Sequence, residues 1–174
     1  MISPSIFKAY DVRAVYPTEL NEDTAYKIGR AYVAYLDSIA AASRGDSTAA
    51  AARGSAMPIA VSRDMRVSSP SLAAAFIDGA SFQGADVVNF GMMATDMLYF
   101  AVVNGRFDGG AQITASHNPK QYNGVKMVRA GALPLSGDAG IGDIRDMIAG
   151  DRLPPPAARR RPDCSPGPPG RQRL

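Results

Sequence analysis

Ser116 and His117 stand side by side and Lys126 follows ten residues after the serine, so one short stretch carries a hydroxyl, an imidazole and an ammonium. A hydroxyl can accept a phosphoryl group, an imidazole is a donor whose charge changes near neutral pH, and an ammonium is a mobile point charge. Together they suit the handling of phosphate. His117 is the only histidine among 174 residues, so no cluster of imidazoles is available to hold a metal. The run Gly109, Gly110, Ala111, Gln112, Ile113, Thr114, Ala115 precedes the pair. Glycines followed by a short apolar stretch read as a buried strand, so Ser116 and His117 lie where the chain leaves a sheet. That is where α/β proteins place their ligands.

The elements that must position this loop follow from periodicity and end signals. Asn21 caps a helix to about Ala40, with Ala25, Ile28, Tyr32, Val33, Leu36 and Ile39 at helical spacing. Residues 42–56, rich in alanine, serine, glycine and arginine, read as a flexible surface insertion. Pro58 to Val61 reads as a strand, and Ser68, Ser69 and Pro70 open a helix that continues through Leu72 to Gln83. Asp86 to Phe90 is the next strand, with Gly91 as its exit. Thr95 caps a helix over Asp96 to Asn104 that turns Leu98, Val102 and Val103 to the core. Gln112 to Ala115 is a third strand, and Gly124 to Val128 an extended segment after a hairpin-like turn. Gly137 to Ile148 reads as a last helix with Ile141, Ile144 and Ile148 inward. Strands separated by helices predict an α/β sandwich.

Residues 1–150 suffice for one domain, and 46% hydrophobic residues allow a proper core. The net charge of +3 suggests nucleic acid only until it is located. Of 19 basic residues, six arginines lie in 151–174, which leaves 13 basic against 14 acidic residues in the body. The segment 151–174 also holds seven of the 13 prolines and few apolar residues, so it reads as a disordered tail. A processed linker and a domain truncated by a frame change are both consistent with it. Its Arg159–Arg161 run lacks interleaved aromatics and reads as solvated, so no nucleic-acid partner is expected. The single cysteine, Cys164, permits no disulfide framework, so a cytoplasmic location is the expectation. No stretch approaches about 18 uninterrupted apolar residues, so no membrane partner is expected.

Thr114 to Pro119, read as Thr-Ala-Ser-His-Asn-Pro, resembles the phosphoserine loop of the α-D-phosphohexomutases, which include phosphomannomutase and phosphoglucomutase. Tyr10, Asp11, Val12 and Arg13 resemble that family's Tyr-Asp-x-Arg element. Arg63 to Arg66 with Ser68, Ser69 and Pro70 resembles its Arg-Asp-x-Arg-x-Ser-Ser-Pro turn, and Tyr122 to Lys126 its Tyr-Asn-Gly-x-Lys segment. The likeness runs over about residues 6–149, the first of the family's four domains. One departure is Ala14, where the family has glycine.

The resemblance implies a three-layer α/β/α sandwich with a mixed central sheet. It implies interconversion of hexose 1-phosphate and hexose 6-phosphate, an isomerase activity, through a phosphoserine and a bisphosphorylated sugar. Ser116 would carry the phosphoryl group, His117 would donate to phosphate or substrate oxygens, Lys126 would assist proton transfer, and Arg13 would stabilise charge in the transition state. Tyr10, Thr114 and Asn118 would line the phosphate environment. Mg²⁺ would be held by the Ser116 phosphate and by aspartates of a later domain, so this chain alone would bind no metal tightly and turn over little. The face that the later domains would cover offers a surface for self-association. Blander readings stay open for each residue: a turn bond for Ser116, a structural hydrogen bond for His117, a solvated strand end for Lys126, and for Arg13 a salt bridge to Asp11 or Asp64. Arg63, Asp64 and Arg66 read as scaffold. A noncatalytic regulatory or interaction module that keeps the fold is the alternative function.

Overall fold

Asn21 accepts hydrogen bonds from the Thr24 amide at 3.0 Å and the Thr24 hydroxyl at 3.1 Å, and so starts α1 (Glu22–Arg44) where its cap predicts. The structure, a computed structural model, describes residues 2–44 and 57–156. The expected insertion at 42–56 begins inside α1, and its remainder lies outside the described residues, as do Cys164 and Arg159–Arg161.

Six strands form one mixed sheet: β1 (Val12–Val15), β2 (Met57–Arg63), β3 (Ala85–Met92), β4 (Gly109–Ile113), β5 (Tyr122–Arg129) and β6 (Leu133–Pro134). The order is β1-β5-β4-β2-β3, with β6 also pairing with β5. β2 runs parallel to β3 and β4, while β5 is antiparallel to β1 and β4. The connections β1 to β2, through α1, and β2 to β3, through α2 (Ser69–Phe82), step across the sheet in one direction. The connection β3 to β4, through α3 (Thr95–Asn104), steps back. Right-handed crossovers then require α1 and α2 on one face and α3 on the other. The packing agrees, which gives the α/β/α sandwich. Tyr32, Phe76 and Leu72 of α1 and α2 share the main core with Ile59, Val61, Ile113 and Met127, whereas Leu98 and Val102 of α3 pack with Ala60 and Val128. The last helix, α4 (Ile141–Ala149), adds Ile141 and Ile144 to the main core, with Ile148 at its border.

Side chains alternate across each strand. Val12, Ala14, Ile113, Val125 and Met127 enter the main core, so Arg13, Gln112 and Lys126 fall on the α3 face. That face is apolar around Ala60 and Val128 and turns polar toward the exit of β4.

Several boundaries differ from expectation for physical reasons. β4 includes Gly109 and Gly110 and stops at Ile113: a Cβ on Gly109 would strike Tyr32, and one on Gly110 would strike Val102. Thr95 does not cap α3; Ala94 holds that position, and no side chain caps the helix. Val103 is 51% exposed, because it lies about 100° around the helix from the buried Val102. α4 begins at Ile141 rather than Gly137, since Ser136 and Ala139 close a turn through two bonds of 3.0 and 3.1 Å and Gly140 has φ of 108°. The first residues of the proline-rich segment dock on the body. Arg30 donates to the Pro154 carbonyl at 3.1 Å, and Gln83 to the Pro154 and Pro155 carbonyls at 3.2 Å. Leu153 packs on the core border.

Tyr32 ties the helix layer to the sheet. Its buried hydroxyl lies 2.7 Å from the Val128 carbonyl and 3.2 Å from that of Gly110. Burial pushes this phenol far above its ordinary value of 10. A group whose pKa is raised in the folded state contributes stability that is full below the unfolded pKa and is lost as pH rises toward the folded one. Stability should therefore fall above about pH 10. Tyr32→Phe should cost about 1 kcal/mol at pH 8 and flatten that alkaline fall. Urea midpoints of both proteins between about pH 8 and 11 check this.

Candidate functional site

The chain leaves β4 at Thr114, whose amide donates to the Gly124 carbonyl at 2.9 Å. A Cβ on Gly124 would run into the Val12 carbonyl and come within 2.9 Å of that of Thr114, so only glycine lets β1, β5 and the loop approach this closely. The buried Thr114 hydroxyl donates to Asp64 Oδ2 at 2.7 Å and accepts the Ser116 amide at 2.9 Å. Ser116 is thereby held at φ of 55°, a left-handed conformation that costs a non-glycine residue about 1 kcal/mol or more. Its side chain is exposed, with Oγ 3.4 Å from His117 Nδ1. Asn118 turns back through its amide and its side chain onto the Ala115 carbonyl, at 3.0 and 2.8 Å.

Arg66 holds this loop from beneath. Nη1 donates to the carbonyls of Pro119 at 2.9 Å and Tyr122 at 3.0 Å. Nη2 donates to those of Ser116 at 2.9 Å and Asn118 at 2.7 Å, and Nε to Asp64 Oδ2 at 3.2 Å. All the donors of the guanidinium fork are thus used. Asp64 in turn accepts the Arg66 amide at 3.0 Å and the Ser69 hydroxyl at 2.5 Å. Asn123, buried, donates to the hydroxyls of Ser68 at 2.8 Å and Ser69 at 3.0 Å. The Arg-Asp-x-Arg turn and the Ser-Ser-Pro helix start are one scaffold under the serine loop, with Arg63 joined to it through the Asp64 carbonyl at 3.1 Å.

The cations gather beside it. Arg13 lies opposite Gly124, whose carbonyl holds Thr114, so Arg13, Gly124 and Thr114 form one row across β1, β5 and the exit of β4. Two strand spacings span about 10 Å. Arg13 Nη2 is 2.6 Å from Asp11 Oδ2, and Lys126 Nζ is 3.6 Å from the same oxygen. The salt bridge foreseen for Arg13 is the one to Asp11, not to Asp64. Lys126 is not a solvated strand end, since its side chain is 26% exposed and Gln112 lies opposite it. Asp11 Oδ1 and Arg13 Nε are buried with no hydrogen-bond partner among the described residues, an arrangement that costs about 1–3 kcal/mol per group and is poorly suited to stability alone. Ala14, standing where glycine was noted as usual, is buried in β1 opposite Asn123 and has no left-handed backbone, so the added Cβ brings no strain.

Thr114, Ser116, His117 and Asn118 therefore form one loop, and Arg13 and Lys126 meet at one carboxylate. Tyr10, 73% exposed before β1, enters neither network. The sequence offers Asp11 only as one alternative partner for Arg13 and gives Asn123 no role of its own. The Asp11 contact with Lys126 and the Asn123 bonds to Ser68 and Ser69 come from the structure, and the signal available for Asn123 was an asparagine before a glycine. Among the described residues, no group of three or more histidine, cysteine, aspartate or glutamate side chains could hold a metal ion. No described helix is long and apolar enough to cross a membrane.

Comparison with known proteins agrees with this arrangement. A family described as phosphoglucomutase/phosphomannomutase, alpha/beta/alpha domain I, matches residues 4–152. A phosphomannomutase of Klebsiella pneumoniae is 40% identical over 161 residues, covering 92% of this chain and 91% of that protein. A phosphomannomutase of Escherichia coli is also 40% identical over 161 residues, but there the chain spans only 31% of the relative's length. The crystal structure of a phosphoglucomutase/phosphomannomutase family protein from Burkholderia thailandensis superimposes with a TM-score of 0.73 at 37% identity, covering 90% of this chain and 32% of that one. Fold, loop and relatives converge: the chain belongs to the phosphoglucomutase/phosphomannomutase family and corresponds to its α/β/α domain I.

Proposed function

We propose that this chain is the phosphoryl-carrying part of a phosphohexomutase, an isomerase of hexose 1-phosphate and hexose 6-phosphate. The observation that carries the reading is Ser116: an exposed hydroxyl held in a left-handed turn by Thr114 and Arg66, at the exit of β4, whose neighbour β5 carries Lys126 and is paired in turn with β1, which carries Arg13. In the proposed step a sugar hydroxyl oxygen attacks the phosphorus of phosphorylated Ser116, the bond from phosphorus to Ser116 Oγ breaks, and the sugar becomes a bisphosphate. The proton lost by the sugar hydroxyl is matched by one returned to Ser116 Oγ, and Lys126 assists that exchange. Arg13, always charged, offsets the negative charge spread over the phosphoryl oxygens, and His117 donates to an oxygen near Oγ. The reverse step with the other phosphate of the sugar restores the phosphoserine. Apart from the Ser116 phosphate, ligands for the Mg²⁺ that such chemistry uses would come from outside the described residues. The chain spans 91% of the Klebsiella pneumoniae relative and 31% of the Escherichia coli one, and negligible turnover by this chain alone is part of the proposal.

Self-association belongs to the same proposal. Val88, Phe90 and Met92 on the edge strand β3 and Met97, Phe100 and Val103 on α3 form the exposed apolar surface that further domains or a second copy would cover. The second reading is a noncatalytic module that keeps the loop; the observation that favours it is that the chain spans only 31% of the Escherichia coli relative. Supplying the remaining domains in trans and assaying interconversion of hexose 1-phosphate and 6-phosphate with Mg²⁺ separates the two. Activity only in the mixture supports the mutase reading, and none under any combination supports the module.

A further inference from the structure

We infer that Asp11 is a positioning residue that binds Arg13 and Lys126 into one cationic unit for a phosphoryl group, an inference that rests on the phosphoryl-transfer reading of the serine loop. The placement follows from register. Val12 lies opposite Val125, and one further step along the antiparallel pair sets Asp11 opposite Lys126. Arg13 lies opposite Gly124, whose missing side chain leaves the guanidinium free to turn back toward Asp11 on the same face. Asp11 is nearly enclosed, its side chain 5% exposed, whereas Arg13 and Lys126 keep 29% and 26% exposure. The acid is therefore sealed in while both cations reach the surface. A single carboxylate against two cations leaves one positive charge for an anion and restrains the flexible lysine stem. Among the described residues Oδ1 of Asp11 and Nε of Arg13 have no hydrogen-bond partner, so the geometry serves the two cation heads at the expense of the rest.

This role has a sign that simple electrostatics does not share. Replacing Asp11 by asparagine removes a negative charge from the site, so charge alone would tighten phosphate binding. Positioning requires the reverse. The chain has four lysines, Lys8, Lys27, Lys120 and Lys126, so lysine-labelled protein gives few side-chain signals in NMR. The full chain is titrated with inorganic phosphate as wild type, Asp11→Asn and Asp11→Glu. The expected result is a Lys126 signal that is restrained in the wild type, released in Asp11→Asn, and phosphate binding about ten-fold weaker in that variant. Asp11→Glu, which keeps the charge, should recover part of both. Phosphate binding in Asp11→Asn equal to or tighter than wild type overturns the inference, as does a wild type in which phosphate leaves Lys126 and Arg13 unmoved. Should Asp11→Asn not fold, the wild type decides: a Lys126 ammonium as mobile as that of Lys120 overturns the inference, and a restrained one supports it. Failure of Ser116 to take a phosphoryl group from a hexose bisphosphate would remove the phosphoryl-transfer reading and leave this titration to decide the role of Asp11 by itself.

Discussion

Ser116→Ala should abolish hexose phosphate interconversion in the assembled enzyme, by about 10⁴-fold or more, because it removes the oxygen that the proposed mechanism makes the phosphoryl acceptor. Fold and melting should change little, since the Ser116 side chain is exposed and its amide keeps the bond to Thr114. Ser116→Gly sharpens the test. Glycine accepts the φ of 55° without strain, so this variant should be more stable than wild type by about 1 kcal/mol and equally inactive. Urea melts beside coupled activity assays read both quantities. Retained activity in either variant would place the acceptor elsewhere.

Arg66→Ala should produce the largest loss of stability, about 3 kcal/mol. It frees four loop carbonyls and leaves Asp64, whose side chain is 16% exposed, without its cation. Arg66→Lys should recover little, because a lysine ammonium cannot reproduce the planar fork that spans Ser116, Asn118, Pro119 and Tyr122. Hydrogen exchange should localise the damage to residues 114–122, with the amide of Ser116 losing its protection. A variant that melts like wild type with an ordered loop would show that the carbonyls find other donors and that the scaffold is redundant.

Locally determined features were legible in the sequence. Asn21 and the spacing of Ala25, Ile28, Tyr32 and Leu36 mark α1 because a cap and a stripe need only their own neighbours. Ser68, Ser69 and Pro70 mark the start of α2 in the same way. Features decided by distant packing were not legible. Gly109 and Gly110 join β4 through their pairing with β2 and β5, and the closeness of Tyr32 and Val102 requires glycine there, neither of which a local signal carries. Thr95 looks like a cap, yet the chain enters α3 one residue earlier. The serine loop was recognisable as a motif and Arg66 as scaffold, but that Arg66 supports this loop, across 50 residues of chain, was not. The meeting of Lys126 with Asp11 depends on the register of β1 against β5, a pairing of segments more than a hundred residues apart.

The central claim is that Ser116 is the phosphoryl carrier, and mass spectrometry tests it most directly. The chain is exposed to a hexose 1,6-bisphosphate together with Mg²⁺ and domains II to IV of a phosphohexomutase, digested, and the added phosphate mapped. The expected result is a single phosphate on the peptide bearing Ser116, absent in Ser116→Ala and reduced when Arg13 or Lys126 is replaced. Phosphate on another residue, or labelling that persists in Ser116→Ala, would contradict it.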